Sequence, residues 1–214
     1  METFEIREQF YLNGQPFRII SGAVHYFRTV PQYWRDRLEK LRNLGCNTVE
    51  TYIPWNLHEP RQKEFCFEGL ADIEGFLTIA QELGLYIILR PSPYICSEWE
   101  FGGLPAWLLK DRSMRLRCSY GPFQEAVRAY YEVLIPKLTP YQVDRGGSMI
   151  LMQLENEYGY SIIERYYYVP CKYTWDTDNQ PENPGTDIPI DYEDEACAAV
   201  CPPIPDSAAF FETI

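Results

Sequence analysis

Residues 85–91, LYIILRP, form a nearly continuous apolar run, closed in front by Gly84 and behind by Pro91. Apolar side chains at successive positions of an extended segment need cover on both faces, the condition of a strand inside a parallel sheet. Such a sheet requires covering helices, and the sequence supplies them at intervals. Residues 31–45, PQYWRDRLEKLRNLG, open on a proline suited to a first helical turn, repeat Trp34, Leu38, Leu41 and Leu44 at three- and four-residue spacing, and stop at Gly45. Residues 71–84, ADIEGFLTIAQELG, place Ile73, Phe76, Leu77, Ala80 and Leu83 on one face before Gly84. A third helix is expected over residues 121–138.

Three more strands alternate with these helices. Residues 17–27, FRIISGAVHYF, carry the β-branched Ile19, Ile20 and Val24; residues 48–55 read TVETYIPW; residues 148–157 read SMILMQLENE. Four strands, the first three each followed by a helix, predict an α/β fold with a parallel sheet and right-handed crossovers. Periodicity does not choose between an open doubly wound sheet and a (β/α)8 barrel, but no G-x-G-x-x-G follows any strand, which removes the usual dinucleotide fingerprint.

In either architecture the C-terminal strand ends carry function. Here those ends read VHYF, ETYIPWN, LRPSPYICSEWEFGG and QLENEYGY, gathering aromatic rings and carboxylates on one rim. Tyr52, Trp55, Tyr94, Trp99 and Tyr158 offer flat faces with polar tips, suited to a sugar ring and its hydroxyls; the alternative is that they pack against the helices. Glu98 and Glu100 bracket Trp99, and Glu155 and Glu157 bracket Asn156. Alternation along a strand turns Glu155 and Glu157 the same way unless the strand bends. A carboxyl shielded by aromatics has its pKa raised and serves as a general acid, the alternative being an ordinary salt bridge to Arg90 or Arg35.

With 31 acidic against 19 basic side chains, the net charge of -12 disfavours a nucleic-acid partner. No stretch approaches the roughly 18 consecutive apolar residues of a membrane span, and the mixed charges of METFEIREQ lack a secretory pattern. A protein retained in the cytoplasm is the expectation. Seven scattered cysteines, an odd number, are expected to be reduced thiols. Cys197 and Cys201 have no second Cys pair or His cluster beside them, His25 and His58 lying far upstream, so no metal or cofactor is expected.

The motifs GAVHYFR, YWRDRLEKLRNLGCNTVETYIPWNLHEP, LRPSPYICSEWEFGGLPAWLL and MQLENEYGY, in this order over residues 10–160, resemble the N-terminal half of a family 35 glycoside hydrolase, the β-galactosidase family. The resemblance implies a (β/α)8 catalytic barrel and retaining hydrolysis of terminal β-galactosyl bonds in carbohydrate metabolism. It also implies Glu157 as general acid/base, Asn156 on the sugar 2-hydroxyl, and Tyr52, Cys96, Ser97 and Glu98 lining the galactose subsite. Glu155 is left a supporting role.

The resemblance also implies a second carboxyl, a nucleophilic glutamate ending strand seven, which would fall beyond Ile214. After Tyr160 the family pattern stops; from Tyr173 onward there are ten acidic residues, six prolines and no Lys or Arg. That self-repelling composition predicts an irregular tail at 166–214 following a partial catalytic domain at 1–165. A substitute nucleophile such as Glu182 or Glu193 would need positional accuracy that an irregular segment does not give. The expectation is a truncated, catalytically impaired β-galactosidase-type chain, the alternative being a non-catalytic, vestigial galactoside-binding fragment. Unpaired edges on the first and fourth strands predict self-association.

Overall fold

The computed structural model describes residues 2–91, 93–157 and 167–170. Four parallel strands, β4 (Ser21–Ala23), β5 (Thr48–Tyr52), β6 (Tyr86–Arg90) and β7 (Met149–Leu154), pair in chain order. That order never reverses, as in a (β/α)8 barrel and unlike an open doubly wound sheet, which has a switch point. An N-terminal meander of β1 (Phe4–Ile6), β2 (Phe10–Leu12) and β3 (Gln15–Pro16) precedes them. Its strands are too short to show in the apolar spacing. Its one signal was Asn13–Gly14, whose φ values of 53° and 74° suit the tight hairpin turn that this dipeptide favours.

The first parallel strand begins at Ser21, later than Ile19 and Ile20 suggest. The Asn47 side chain explains the shift: it accepts from the Ile20 N–H at 2.9 Å and donates to the Arg18 carbonyl at 2.8 Å, taking groups that a strand would give to its neighbour. Ile20 is consequently 48% exposed.

The helices α1 (Trp34–Asn43), α2 (Trp55–His58), α3 (Ile73–Glu82) and α4 (Gly121–Leu138) link the strands. One core joins Trp34 and Leu38 of α1, Phe76 and Leu77 of α3, and Phe123, Val127, Tyr130 and Leu134 of α4 to Val49, Ile87 and Leu89 of the sheet. The face of α3 is buried as the spacing predicts, and the Asp72 carboxylate caps it, accepting from the Gly75 N–H at 2.8 Å. Leu44 departs from expectation: α1 stops at Asn43, and Leu44 lies past its end, 84% exposed.

Ile88 points away from the helices into a second cluster with Phe4, Val143, Ile150 and Leu151, against which Phe10, Phe17 and Tyr86 pack. The meander thus closes the other face of the sheet near the strand starts and leaves the strand ends for polar groups. Pairing slips from Ile87↔Met149 to Ile88↔Leu151, so β7 holds one extra residue, a bulge. For that reason Met149 and Met152, three apart, both reach the helix-side core.

β8 (Tyr167–Pro170) pairs antiparallel with β7, from Leu151↔Pro170 to Leu154↔Tyr167. The edge of the fourth parallel strand, expected to be open, is therefore covered by a strand from the stretch expected to be irregular. β4 is outermost on the other side among the described residues. The rest of the 166–214 tail lies outside the described residues.

Candidate active site

At the C-terminal strand ends, on the face away from the helices, three elements converge on one amide. Arg90, closing β6, donates through Nη1 to Glu50 Oε1 at 2.6 Å and through Nη2 to Asn156 Oδ1 at 2.7 Å. The Tyr52 hydroxyl donates to the same Oδ1 at 3.1 Å, and the Arg90 guanidinium lies 3.8 Å over the Tyr52 ring centre. A guanidinium only donates, so the amide of Asn156, 2% exposed, is fixed with its oxygen inward and its Nδ2 turned away. Among the described residues no hydrogen bond to that Nδ2 is formed. His25 packs against Tyr52 at 5.2 Å and stacks on Phe27 at 5.4 Å. Burial, with Arg28 and Arg90 nearby, lowers its pKa to about 4, so its ring is neutral.

Past Leu154 the strand does not continue. Glu155 and Glu157 take left-handed φ values of 59° and 50°, a conformation that costs a non-glycine residue about 1–2 kcal/mol. The alternation expected of an extended strand is broken, and the two carboxyls part. Glu155 turns inward: Arg117 donates to it through Nε at 3.2 Å and Nη2 at 2.8 Å, and the Asn156 N–H donates to it at 2.7 Å. Arg117 Nη2 also donates to the Asn156 carbonyl at 2.6 Å, and Gln153 donates to the Glu155 carbonyl at 2.8 Å. Burial raises the Glu155 carboxyl above its ordinary range, while Arg117 and the Asn156 N–H pull it back. Arg90 and Arg35, the partners considered for a rim carboxylate, pair instead with Glu50 and Glu82.

Glu157 is exposed, not shielded as the motif leads one to expect. The left-handed turn carries its carboxyl outward. Burial, a hydrogen bond with Cys96 and the charge of Glu157 raise the Tyr94 phenol above its ordinary value, against the opposing pull of Arg117. The buried member of the Glu155–Glu157 pair is thus the one for which the sequence suggests a supporting role.

Cys96, Ser97 and Glu98 follow one another at φ 55°, 52° and 44°, a left-handed stretch that tertiary contacts must hold. The Ser97 carbonyl accepts from Arg28, Trp99 Nε1 donates to Asn56 Oδ1 at 2.9 Å, and the Ile95 N–H donates to the Gly102 carbonyl at 2.7 Å. Ser97 is buried, Cys96 half-buried, and Glu98 and Glu100 are exposed. The loop therefore brings Cys96 to Tyr94, and the strand ends bring Tyr52 to Asn156. No hydrogen bond or ion pair joins the Glu98 side chain to either group among the described residues.

Of the rim aromatics, Trp55 is a core residue, 0% exposed, stacked on Tyr130 at 5.0 Å with its indole N–H on Glu59 at 2.6 Å. Trp99 meets Phe27 edge-on at 4.7 Å. Tyr158, Glu182, Glu193, Cys197 and Cys201 lie outside the described residues. Glu50 and Arg117 were missed. Glu50 was legible, two residues before Tyr52 on the same strand face; Arg117, in an irregular loop, carries no local signal. Among the described residues no group of three or more His, Cys, Asp or Glu is placed to hold a metal, and no helix is long and apolar enough to cross a membrane.

Strand order, helical cover on one side and an amide–carboxyl pair closing the fourth strand define a glycosidase-type (β/α)8 fold, of which these residues form the first four units. The chain belongs to glycosyl hydrolases family 35, whose model matches residues 9–195. The match extends past the motifs that end near residue 160. Beta-galactosidase-1-like protein 2 of Homo sapiens is 53% identical over 150 residues, 70% of this chain and 24% of that one. The β-galactosidase of Felis catus is 48% identical over 176 residues, 81% of this chain and 25% of that one. The chain thus spans about a quarter of the length of the curated relatives it matches. Among solved structures, an exo-β-1,4-mannosidase from Opitutaceae bacterium strain TAV5 superposes with TM-score 0.53 at 21% identity, covering 68% of this chain and 26% of that one. A β-galactosidase from the psychrophilic Marinomonas ef1 gives 0.51 at 18%, covering 70% and 23%. At such identities these two speak for the fold alone.

Proposed function

We propose that this chain carries the acid/base half of a retaining β-galactosidase-type site, with Glu157 as proton donor and acceptor. In this reading Asn156 donates its Nδ2 hydrogens to the sugar 2-hydroxyl, a contact that strengthens as the anomeric carbon gains positive charge. Tyr52, Cys96, Ser97 and Glu98 surround the galactosyl ring. The observation that carries the reading is the fixed amide of Asn156, whose oxygen is occupied by Arg90 and Tyr52 and whose nitrogen meets no acceptor among the described residues. Relatives sharing about half of their aligned residues with this chain are named β-galactosidases, which supports the choice of sugar.

Double displacement needs a second carboxyl about 5 to 5.5 Å from the first. In the family pattern that residue belongs to strand seven, and the motifs here end with strand four. Acid/base assistance alone contributes roughly 10²- to 10⁴-fold. The 214-residue chain by itself is accordingly a feeble catalyst that retains part of a galactose site.

The test is turnover of 4-nitrophenyl β-galactoside by the purified chain, by its Glu157→Gln variant and by buffer, alongside thermal unfolding with and without galactose. Turnover at the buffer level with a galactose-raised unfolding temperature is expected. Rapid turnover abolished by Glu157→Gln would overturn the impairment, and an unfolding temperature indifferent to galactose would overturn the half-site.

A further inference from the structure

We propose that Arg117 is a positioning residue for the proton-transfer carboxyl of Glu157, holding through Glu155 the turn that carries Asn156 and Glu157. The proposal rests on the reading of Glu157 as the acid/base and adds the side chain that fixes where it stands.

Both carboxyl residues of this turn are left-handed, a strained shape for non-glycine residues that surrounding contacts must hold. The constraint comes from Arg117. Nε and Nη2 grip the two oxygens of Glu155 in a fork, and Nη2 also reaches the Asn156 carbonyl. The Glu155 carboxylate in turn receives the Asn156 N–H, so one guanidinium and one carboxylate fasten the peptide groups on both sides of Asn156. The face of the guanidinium is also used: it lies 3.8 Å over the ring of Tyr94, whose phenol feels the charge of Glu157. Edge and face are both committed, the use for which Arg differs from Lys. The Arg117 and Glu155 side chains are 19% and 10% exposed, so water competes weakly for the pair.

The backbone of Arg117 points to the same conclusion. Its own φ of 56° is one that glycine or asparagine adopts more readily. An arginine at such a position is there for its side chain. Because it comes from the loop ahead of α4, 38 residues before Glu155 in sequence, the grip also ties that loop to the end of β7.

The test is amide hydrogen exchange by NMR on the full chain for the wild type, Arg117→Lys and Arg117→Gln. Arg117→Gln is expected to speed exchange of the Asn156 and Glu157 amides at least tenfold while Val49 and Ile88, inside the sheet, stay as they were. Arg117→Lys, which keeps the charge and loses the fork, is expected to fall between. Unchanged exchange at Asn156 and Glu157 would overturn the proposal; so would faster exchange across the whole sheet, which would make Arg117 a fold-stabilising residue only. Exchange does not depend on turnover, so a chain that binds no galactose refutes the acid/base reading and leaves the exchange result to decide the grip.

Discussion

Arg90 and Tyr52 donate to the same atom, Oδ1 of Asn156, at 2.7 and 3.1 Å, while the Arg90 guanidinium lies over the Tyr52 ring. Two neighbouring strands thereby fix the orientation of a side chain that ends a third. The consequence for substitution is specific. Asn156→Ala removes the acceptor shared by Arg90 and Tyr52, a loss of about 2 kcal/mol. Asn156→Asp keeps an oxygen there and costs about 1 kcal/mol or less. Urea unfolding at pH 7 distinguishes them, and equal losses would contradict the assigned amide orientation.

His58 ties stability to pH. It is buried, accepts at Nε2 from the Tyr26 hydroxyl at 2.5 Å and donates from Nδ1 to the Cys66 carbonyl at 3.0 Å. Both bonds suit the neutral ring, and burial lowers its pKa from the ordinary 6.5 to about 4. In the unfolded chain the ring takes a proton near 6.5, so between pH 6.5 and 4 the unfolded state binds more protons and stability falls with falling pH. The loss amounts to about 3 kcal/mol across that window, and above pH 6.5 the group adds no slope. His25, lowered similarly, acts in the same direction. Unfolding free energies measured from pH 7.5 to 4.5 should show this slope, reduced in His58→Gln; a flat profile would refute it.

Tyr130 stacks on Trp55 deep in the helix-side core, and its hydroxyl is buried with no hydrogen-bond partner among the described residues. Burying an unmatched hydroxyl is unfavourable, so Tyr130→Phe should raise stability by about 1 kcal/mol. A chemical-denaturation midpoint that falls in the variant would mean that the hydroxyl is satisfied.

Gly102 sits at φ 59°, and a Cβ there would stand 2.0 Å from Tyr94 Cε2. Gly102→Ala therefore combines left-handed strain with a ring displacement and should cost about 2–3 kcal/mol. Because Tyr94 lies against Arg117, the same variant should also disturb the Asn156 amide resonances. Unaltered chemical shifts at Asn156 would show that Tyr94 moves without consequence for the turn.

Much of the scaffold was legible because it is local. The face of α3, the apolar run of β6 and the aliphatic start of β7 follow from side-chain periodicity, and Gly45 and Gly84, both at positive φ, end the preceding segments where a glycine is expected. The meander escaped because its strands are only two or three residues long, too short for periodicity to register. Trp55 escaped because an aromatic at a strand end looks the same whether it faces a ligand or, as here, Tyr130.

By itself the sequence determined that strands and helices alternate, that chemistry gathers at the strand ends, and that Asn156 and Glu157 close the fourth parallel strand, since these depend on residue order and apolar spacing. Which carboxyl is buried was decided only by tertiary structure. The fork of Arg117 reaches Glu155 across 38 positions of chain and helps hold a left-handed turn, so Glu155 is kept inside and Glu157 is set free at the rim.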